Sequence, residues 1–400
     1  MTDMTTPREG IPRVLATPAD FSAAASVLSS GQGPLAIDTE RASGFRYDDR
    51  AFLVQIRRRG VGTLLLDPEG SRPEFTRALA PVLNGQDWII HAAASDLPSL
   101  AWLGLYPGSL FDTELAGRLA GFDHVNLAAM IDLLFDVHLA KGHGAEDWSQ
   151  RPLPQNWLAY AALDVELLLE LGDTMAEILD AQGKLDWAGQ EFEYIRTTHA
   201  GLTGPAETTW RDLKGVSSLT HPEQLAVARE LWMAREAIAV ADDRAVSRIL
   251  PTKVLIEIAR TLPRTGRELA RVKGFPARRR SAVRFWGEVI ERATGSDPRT
   301  WPKRERPPRG LPSRQAWANE YPESFERLTT ARTLLEELSA ELAIPTENIL
   351  KPATLRSVAW AATAGREVRS PLEVPDLLRA HEARDWQVEL TAPILTETLF

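Results

Sequence analysis

Residues 34–40 read Pro-Leu-Ala-Ile-Asp-Thr-Glu, an apolar run that closes on two acids two positions apart. Leu35–Glu40 has the pattern of a β-strand, in which Asp38 and Glu40 leave the same face. A carboxylate at the end of a buried strand is costly unless it binds something. Asp67-Pro68-Glu69 repeats the spacing, but its proline ends the strand and the pair is expected in a solvated turn. Farther on, Tyr160 and Asp164 lie four apart in a helical pattern and also share a face. The rest of that turn (Leu158, Ala161, Ala162, Leu163, Val165) is apolar, so this carboxylate too calls for a partner. Asp96, after the apolar strand that ends near His91, reads alone as an ordinary first-turn helix residue. Four carboxylates brought to one place repel each other unless cations sit between them. Divalent ions fill that role, and paired ions are the usual means of cutting phosphodiesters.

Around these acids the chain divides into three segments. A helix is expected over Pro18–Leu28, capped by Thr17 or Asp20. Strands follow at Leu35–Glu40, Phe52–Arg57 and Thr63–Asp67, the last two joined as a hairpin through the polar, glycine-containing Arg58–Gly62. A helix over Arg72–Leu83 precedes a strand over Trp88–Ala92. Ser95 has the look of the next helix cap, with Pro98 in the first turn. Asp112 to Gly183 is mostly helical by periodicity. Residues 1–200 therefore predict an α/β domain, a mixed sheet flanked by helices. Residues 201–214 read as a linker, 215–295 as a helical domain, 295–312 with five prolines as a second, stiff linker, and 313–400 as a further helical domain. The two helical segments echo each other: Ile249, Leu250, Leu255 and Ala259 recur as Ile349, Leu350, Leu355 and Ala359, which suggests two copies of one small module.

Composition bounds the function. With 400 residues the chain exceeds a single core, and 44% hydrophobic with 25% charged residues is ordinary globular composition. The absence of cysteine excludes disulfides, thiolate zinc sites and cysteine nucleophiles. The first residues lack the apolar core of a secretory signal, and no stretch approaches the roughly 18 apolar residues of a membrane span; a cytoplasmic protein without membrane association is expected. Between Arg264 and Arg309 there are fourteen Lys or Arg against five Asp or Glu, in a chain whose net charge is −9. That asymmetry fits a separate phosphate-binding surface carrying Arg264, Arg267, Arg271, Lys273, Arg278, Arg279 and Arg280. The plainer reading is a solvated linker beside a salt-bridged helix face. Phe275, Trp286 and Trp301 are candidate stacking faces for bases, with Phe275 and Trp286 better suited to the module core. His138, His143 and Asp147 could be drawn as a metal cluster but fit a loop and helix ends. His91 fits a satisfied histidine better than a catalytic base.

The order Asp-x-Glu, an aspartate in a His-Ala-x3-Asp-Leu setting, then Tyr-x3-Asp resembles the DEDD exonucleases of the tyrosine subclass. Phe111–Ala116 and Asp147–Leu153, the latter running into Leu158–Val165, are similar to the ribonuclease D branch of that family. His221–Leu225 through Leu269–Phe275 resembles an HRDC module; residues 313–400 match such a module less well. The resemblance implies a ribonuclease-H-like exonuclease domain followed by two all-α HRDC-type domains, and a 3′→5′ exoribonuclease that releases nucleoside 5′-monophosphates. It further implies two divalent ions, Mg²⁺ or Mn²⁺, as cofactors. Asp38 would bridge them, with Glu40 and Asp164 completing one site, Asp96 supporting the other, and Tyr160 orienting the attacking water. RNA with a single-stranded 3′ end, tRNA precursors among them, is the implied substrate. A DNA exonuclease with the same acids and a catalytically silent nucleic-acid scaffold are the competing readings. Arg41 departs from the family, where an aromatic or aliphatic residue follows the glutamate; it either reaches a substrate phosphate or pairs on the surface.

Overall fold

The computed structural model describes residues 2–140, 142–305 and 310–400; part of the proline-rich linker, residues 306–309, and the two arginines it holds lie outside them. The amino-terminal domain contains strands β1 (Thr2–Met4), β2 (Val14–Leu15), β3 (Gln32–Arg41), β4 (Ala51–Arg59), β5 (Gly62–Leu66), β6 (Asp87–Ile90), β7 (Ser109–Asp112) and β8 (Val137–Leu139). Its helices are α1 (Pro18–Ser30), α2 (Arg72–Leu83), α3 (Leu97–Ala101), α4 (Thr113–Ala120), α5 (Leu127–Phe135), α6 (Gln155–Glu166), α7 (Leu168–Ala181) and α8 (Leu185–His199). Six strands form one sheet in the order β2-β5-β4-β3-β6-β7. The β3–β4–β5 meander is antiparallel, whereas β6 runs parallel to β3 and β7 parallel to β6. This is the expected mixed sheet with helices on both faces.

The meander forms because alternation and turn chemistry agree. Gly60 and Gly62 supply positive φ at the β4–β5 connection. Leu35, Ile37, Val54 and Ile56 are fully buried in the main core on one face, while Leu53 and Leu65 pack on the other against Trp148, Trp157 and Ala161. Helix α6 lies across β3, β4 and β5 on this second face. Thr17 and Asp20 together build a capping box at α1.

Two expectations are corrected. Asp67 is not in a solvated turn: it is 4% exposed, and Arg151, 84 residues away, donates to it at 2.8 Å. The same arginine bonds the Phe52 and Trp148 carbonyls, so Asp67 anchors the segment that leads into α6. Ser95 caps no helix. It ends a 3₁₀ turn, Ala93–Ser95, and its hydroxyl bonds the Ala92 carbonyl and Asp96.

The second region comprises α9 (Pro222–Ala241), α10 (Val246–Ile249), α11 (Thr252–Thr261), α12 (Gly266–Leu269) and α13 (Arg280–Gly295) around a separate core. Trp210 and Leu213 belong to that core, carrying it back into the expected linker. The third region has α14 (Arg314–Glu320), α15 (Pro322–Leu342), α16 (Thr346–Ile349), α17 (Pro352–Ala362), α18 (Val374–Ala380) and α19 (Asp385–Leu399). Its core is continuous with that of the sheet domain, where α8 packs on α19. The echoed residues Leu250, Leu255 and Ala259 are buried, as are Leu350, Leu355 and Ala359. The echo is thus one of packing.

Candidate active site

β3 carries Asp38 and Glu40 to the carboxyl end of the sheet, opposite Gln55 and Leu53 of β4. Helix α6 brings Asp164 over the same face. One carboxylate oxygen from each of Asp38, Glu40 and Asp164 lies within 4.8 Å of the others. Among the described residues, no other cluster of three or more acidic or histidine side chains could hold an ion. His138, His143 and Asp147 therefore form no such cluster. All three donors are hard oxygens, the set suited to Mg²⁺ or Mn²⁺ rather than zinc.

Asp96 stands slightly apart. It is 3% exposed and accepts from Thr39 Oγ1 at 2.6 Å and Ser95 Oγ at 2.9 Å. Arg41 answers the question its sequence context posed: its guanidinium bonds the Ser95 carbonyl and lies 4.0 Å from Asp96. It faces the site rather than pairing on the outer surface. The turn that presents Asp96 is fixed by Asp112, a buried residue the sequence reading did not single out. Its carboxylate accepts from the backbone N–H groups of Ala92, Ala93, Glu114 and Leu115. An aspartate before Thr-Glu at a helix start was the available signal.

The electrostatics are those of crowded, buried carboxylates. Burial pushes Asp38 and Glu40 well above the usual carboxylate range, and neighbouring carboxylates push further. Asp164 rises to about 8, from burial first and Asp96 second. Burial also raises Asp96, against Arg41, Thr39 and Ser95, which pull it down. Arg41 is a cation that lowers Asp38, Glu40 and Asp96 alike. Burial and the charges of Asp164, Glu40 and Asp38 raise the Tyr160 phenol above its ordinary value, so it stays protonated. Tyr160 meets His143 edge-on at 5.9 Å, and the loop bearing His143 is pinned by fully buried Trp148, whose indole donates to the His143 carbonyl. His91 bonds Thr113 at 2.9 Å and is held neutral by burial, its pKa lowered to about 4.

The seven basic candidates lie elsewhere, on the second region. Arg264, Arg267, Arg271, Lys273, Arg278, Arg279 and Arg280 are all exposed, with Arg264 bonded to Glu223 at 2.7 Å. Phe275 and Trp286 are core residues. Trp301 is half-buried and bonds Ser296.

The second region touches the loop between β3 and β4, residues 42–50, directly. Asp243, in the α9–α10 turn with φ +46°, receives Arg50 at 2.7 and 3.1 Å and the Tyr47 amide at 3.4 Å. The Ala245 amide donates to the Phe45 carbonyl at 3.0 Å, and Arg248 lies 4.0 Å over the Phe45 ring. Arg46 ties this loop to Ser149 at 2.7 Å.

Residues 12–180 match the 3′-5′ exonuclease family, 224–288 the HRDC domain, and 310–399 the 3′ to 5′ exonuclease C-terminal domain. Ribonuclease D of Gluconacetobacter diazotrophicus is 35% identical over 190 residues, covering 46% of this chain and 47% of that protein; the match spans about half the length of this relative. A crystal structure of a protein from Bifidobacterium adolescentis superposes with a TM-score of 0.85 at 33% identity, over 100% of this chain and 99% of the other. Escherichia coli RNase D, described as an exoribonuclease involved in structured RNA processing, has the same fold, with a TM-score of 0.69 at 21% identity over 97% and 98% of the two chains. The chain thus carries a 3′-5′ exonuclease domain, an HRDC domain and an exonuclease C-terminal domain in this order, and it is similar to ribonuclease D.

Proposed function

We propose that the chain is a divalent-ion-dependent 3′→5′ exoribonuclease that releases nucleoside 5′-monophosphates from RNA. The observation that carries this reading is the trio of buried carboxylates, Asp38, Glu40 and Asp164, with oxygens within 4.8 Å of one another beside a protonated Tyr160. Asp38, Glu40 and Asp164 would hold one ion, and Asp38 with Asp96 a second, Mg²⁺ or Mn²⁺ in either place. When bound, such ions supply charge neutralisation at the phosphodiester and acidify the attacking water. The Tyr160 hydroxyl hydrogen-bonds and orients that water; as a phenol raised by burial it is unsuited to take the proton. Arg41 keeps a positive charge next to Asp96 and leaves donors free for a phosphate oxygen.

In this reading residues 1–200 are the cutter, and residues 215–295 and 313–400 are two related HRDC-type modules. Arg264, Arg267, Arg271, Lys273 and Arg278–Arg280 hold the RNA backbone away from the chemistry. RNA with a single-stranded 3′ end fits as substrate, tRNA precursors among them, and the work would be done in the cytoplasm. Among the described residues no helix is long and apolar enough to cross a membrane.

The test is a pair of 5′-labelled oligonucleotides, RNA and DNA of one sequence, incubated with Mn²⁺ or Mg²⁺, with and without EDTA. The expected outcome is stepwise, EDTA-sensitive shortening of the RNA, faster than that of the DNA and prevented by a blocked 3′ end. Preference for DNA would move the reading to a DNA exonuclease, since the 2′-OH is what distinguishes the two. Inertness toward both would leave a binding scaffold.

A further inference from the structure

Gln55 sits in the middle of β4, directly opposite Asp38. Residues opposed in an antiparallel pair leave the same face of the sheet, with Cβ atoms about 4.5–5.5 Å apart. Its partner on the other side, Leu65, belongs to the apolar cluster beneath α6. The Gln55 side chain is fully buried, and neither its amide nitrogen nor its amide oxygen has a hydrogen-bond partner. It is the one side chain among the described residues with two buried polar atoms both orphaned in this way. Leucine or methionine would fill such a place without desolvating an amide, and a primary amide unpaired at both ends is unfavourable in any fold.

The carboxylate beside it supplies the reason. Asp38 is one of the three acids whose carboxylate oxygens lie within 4.8 Å of one another. A carboxylate that binds an ion through one oxygen presents the other to a donor, and such outer partners fix the ligand's orientation. We propose that Gln55 is a positioning residue for the ion site, its amide holding the Asp38 carboxylate in the ion-binding orientation. The proposal rests on the reading of Asp38, Glu40 and Asp164 as ion ligands.

The test uses the full chain as wild type, Gln55→Met, Gln55→Leu and Asp164→Asn. Mn²⁺ binding is measured by titration calorimetry, and thermal melting is recorded in EDTA. Methionine is unbranched and close to glutamine in shape, so it keeps the packing if leucine does not. Both Gln55 variants should melt in EDTA at or above the wild-type temperature, because the unpaired amide is gone. Their Mn²⁺ affinity should nevertheless fall about 10- to 100-fold. Unchanged affinity would overturn the proposal, whatever the melting temperature, and so would failure of both variants to fold, which would make Gln55 a core residue. A wild type that binds no Mn²⁺, or an Asp164→Asn variant that binds it equally well, would instead overturn the ion reading itself.

Discussion

Helices α9–α11 and α15–α17 repeat one pattern at an offset of a hundred residues, with short helices at Val246–Ile249 and Thr346–Ile349, yet they meet the exonuclease domain in opposite ways. The third region shares its core. Trp386 of α19 is buried and stacks on Trp187 of α8 at 5.2 Å, with its indole on Glu191. Two helix ends, those of α4 and α15, converge where Lys184 donates to the Leu119 and Leu342 carbonyls at 2.8 and 2.7 Å. A cation between two carboxyl-terminal helix ends is favourably placed. Gly121, with φ +85°, allows that approach: a Cβ there would lie 2.8 Å from the Ala343 carbonyl oxygen. The HRDC region instead keeps its own core and reaches the loop between β3 and β4 through the polar latch at Asp243. The third region is thus part of the exonuclease scaffold, whereas the HRDC region is attached through partly exposed polar contacts.

Breaking each attachment sharpens the contrast. Trp386→Ala removes a large buried ring from the shared core and should cost about 3–5 kcal/mol, lowering the melting temperature of the exonuclease and carboxy-terminal regions together. Separate transitions for the two would contradict a continuous core. Asp243→Ala removes a pair whose side chains are 18% and 37% exposed, so its cost should be about 1 kcal/mol or less. Melting should barely move, while KM rises for RNAs long enough to reach both domains and stays unchanged for short ones. A loss of stability comparable to that of Trp386→Ala would mean the latch is a core contact after all.

A further effect concerns pH. Acids whose folded pKa lies above the unfolded value bind more protons in the folded state, so the fold loses stability as pH rises from the unfolded pKa to the folded one. For Asp164 that window runs from 3.8 to about 8, and Asp38, Glu40 and Asp96 act in the same direction. His91, lowered from 6.5 to about 4, acts oppositely below 6.5. The ion-free protein should therefore melt at progressively lower temperature between pH 6.5 and 8. Mn²⁺ should flatten that slope, because an ion replaces the protons. A flat profile in EDTA would show that the acids are not crowded as described.

Much of this was legible in the chain. The strand through Asp38 and Glu40, the β4–β5 hairpin and the helix through Tyr160 and Asp164 have local signals, alternation in one case and a shared helical face in the other. What escaped was set by distant partners. Asp67 looked solvated because Pro68 adjoins it, and nothing nearby announces Arg151. Ser95 looked like a cap because the claim of Asp112 on the Ala92 and Ala93 amides is made across the sheet. Strands β2 and β7, two and four residues long, are too short to show a period. Trp210 and Leu213 were hidden by the polar residues around them. Arg41 was noticed, but only the fold could show which way it points.

In the proposed function, buried carboxylates at the end of β3 and on α6 form one ion-dependent catalytic centre. Single-turnover release of the terminal nucleotide from RNA with a free 3′-OH, compared between wild type and Asp164→Asn in saturating Mn²⁺, tests it most directly. The rate should fall by about 10³-fold or more, the scale of losing a principal electrostatic contribution, with RNA affinity unchanged. A variant within tenfold of wild type would contradict it.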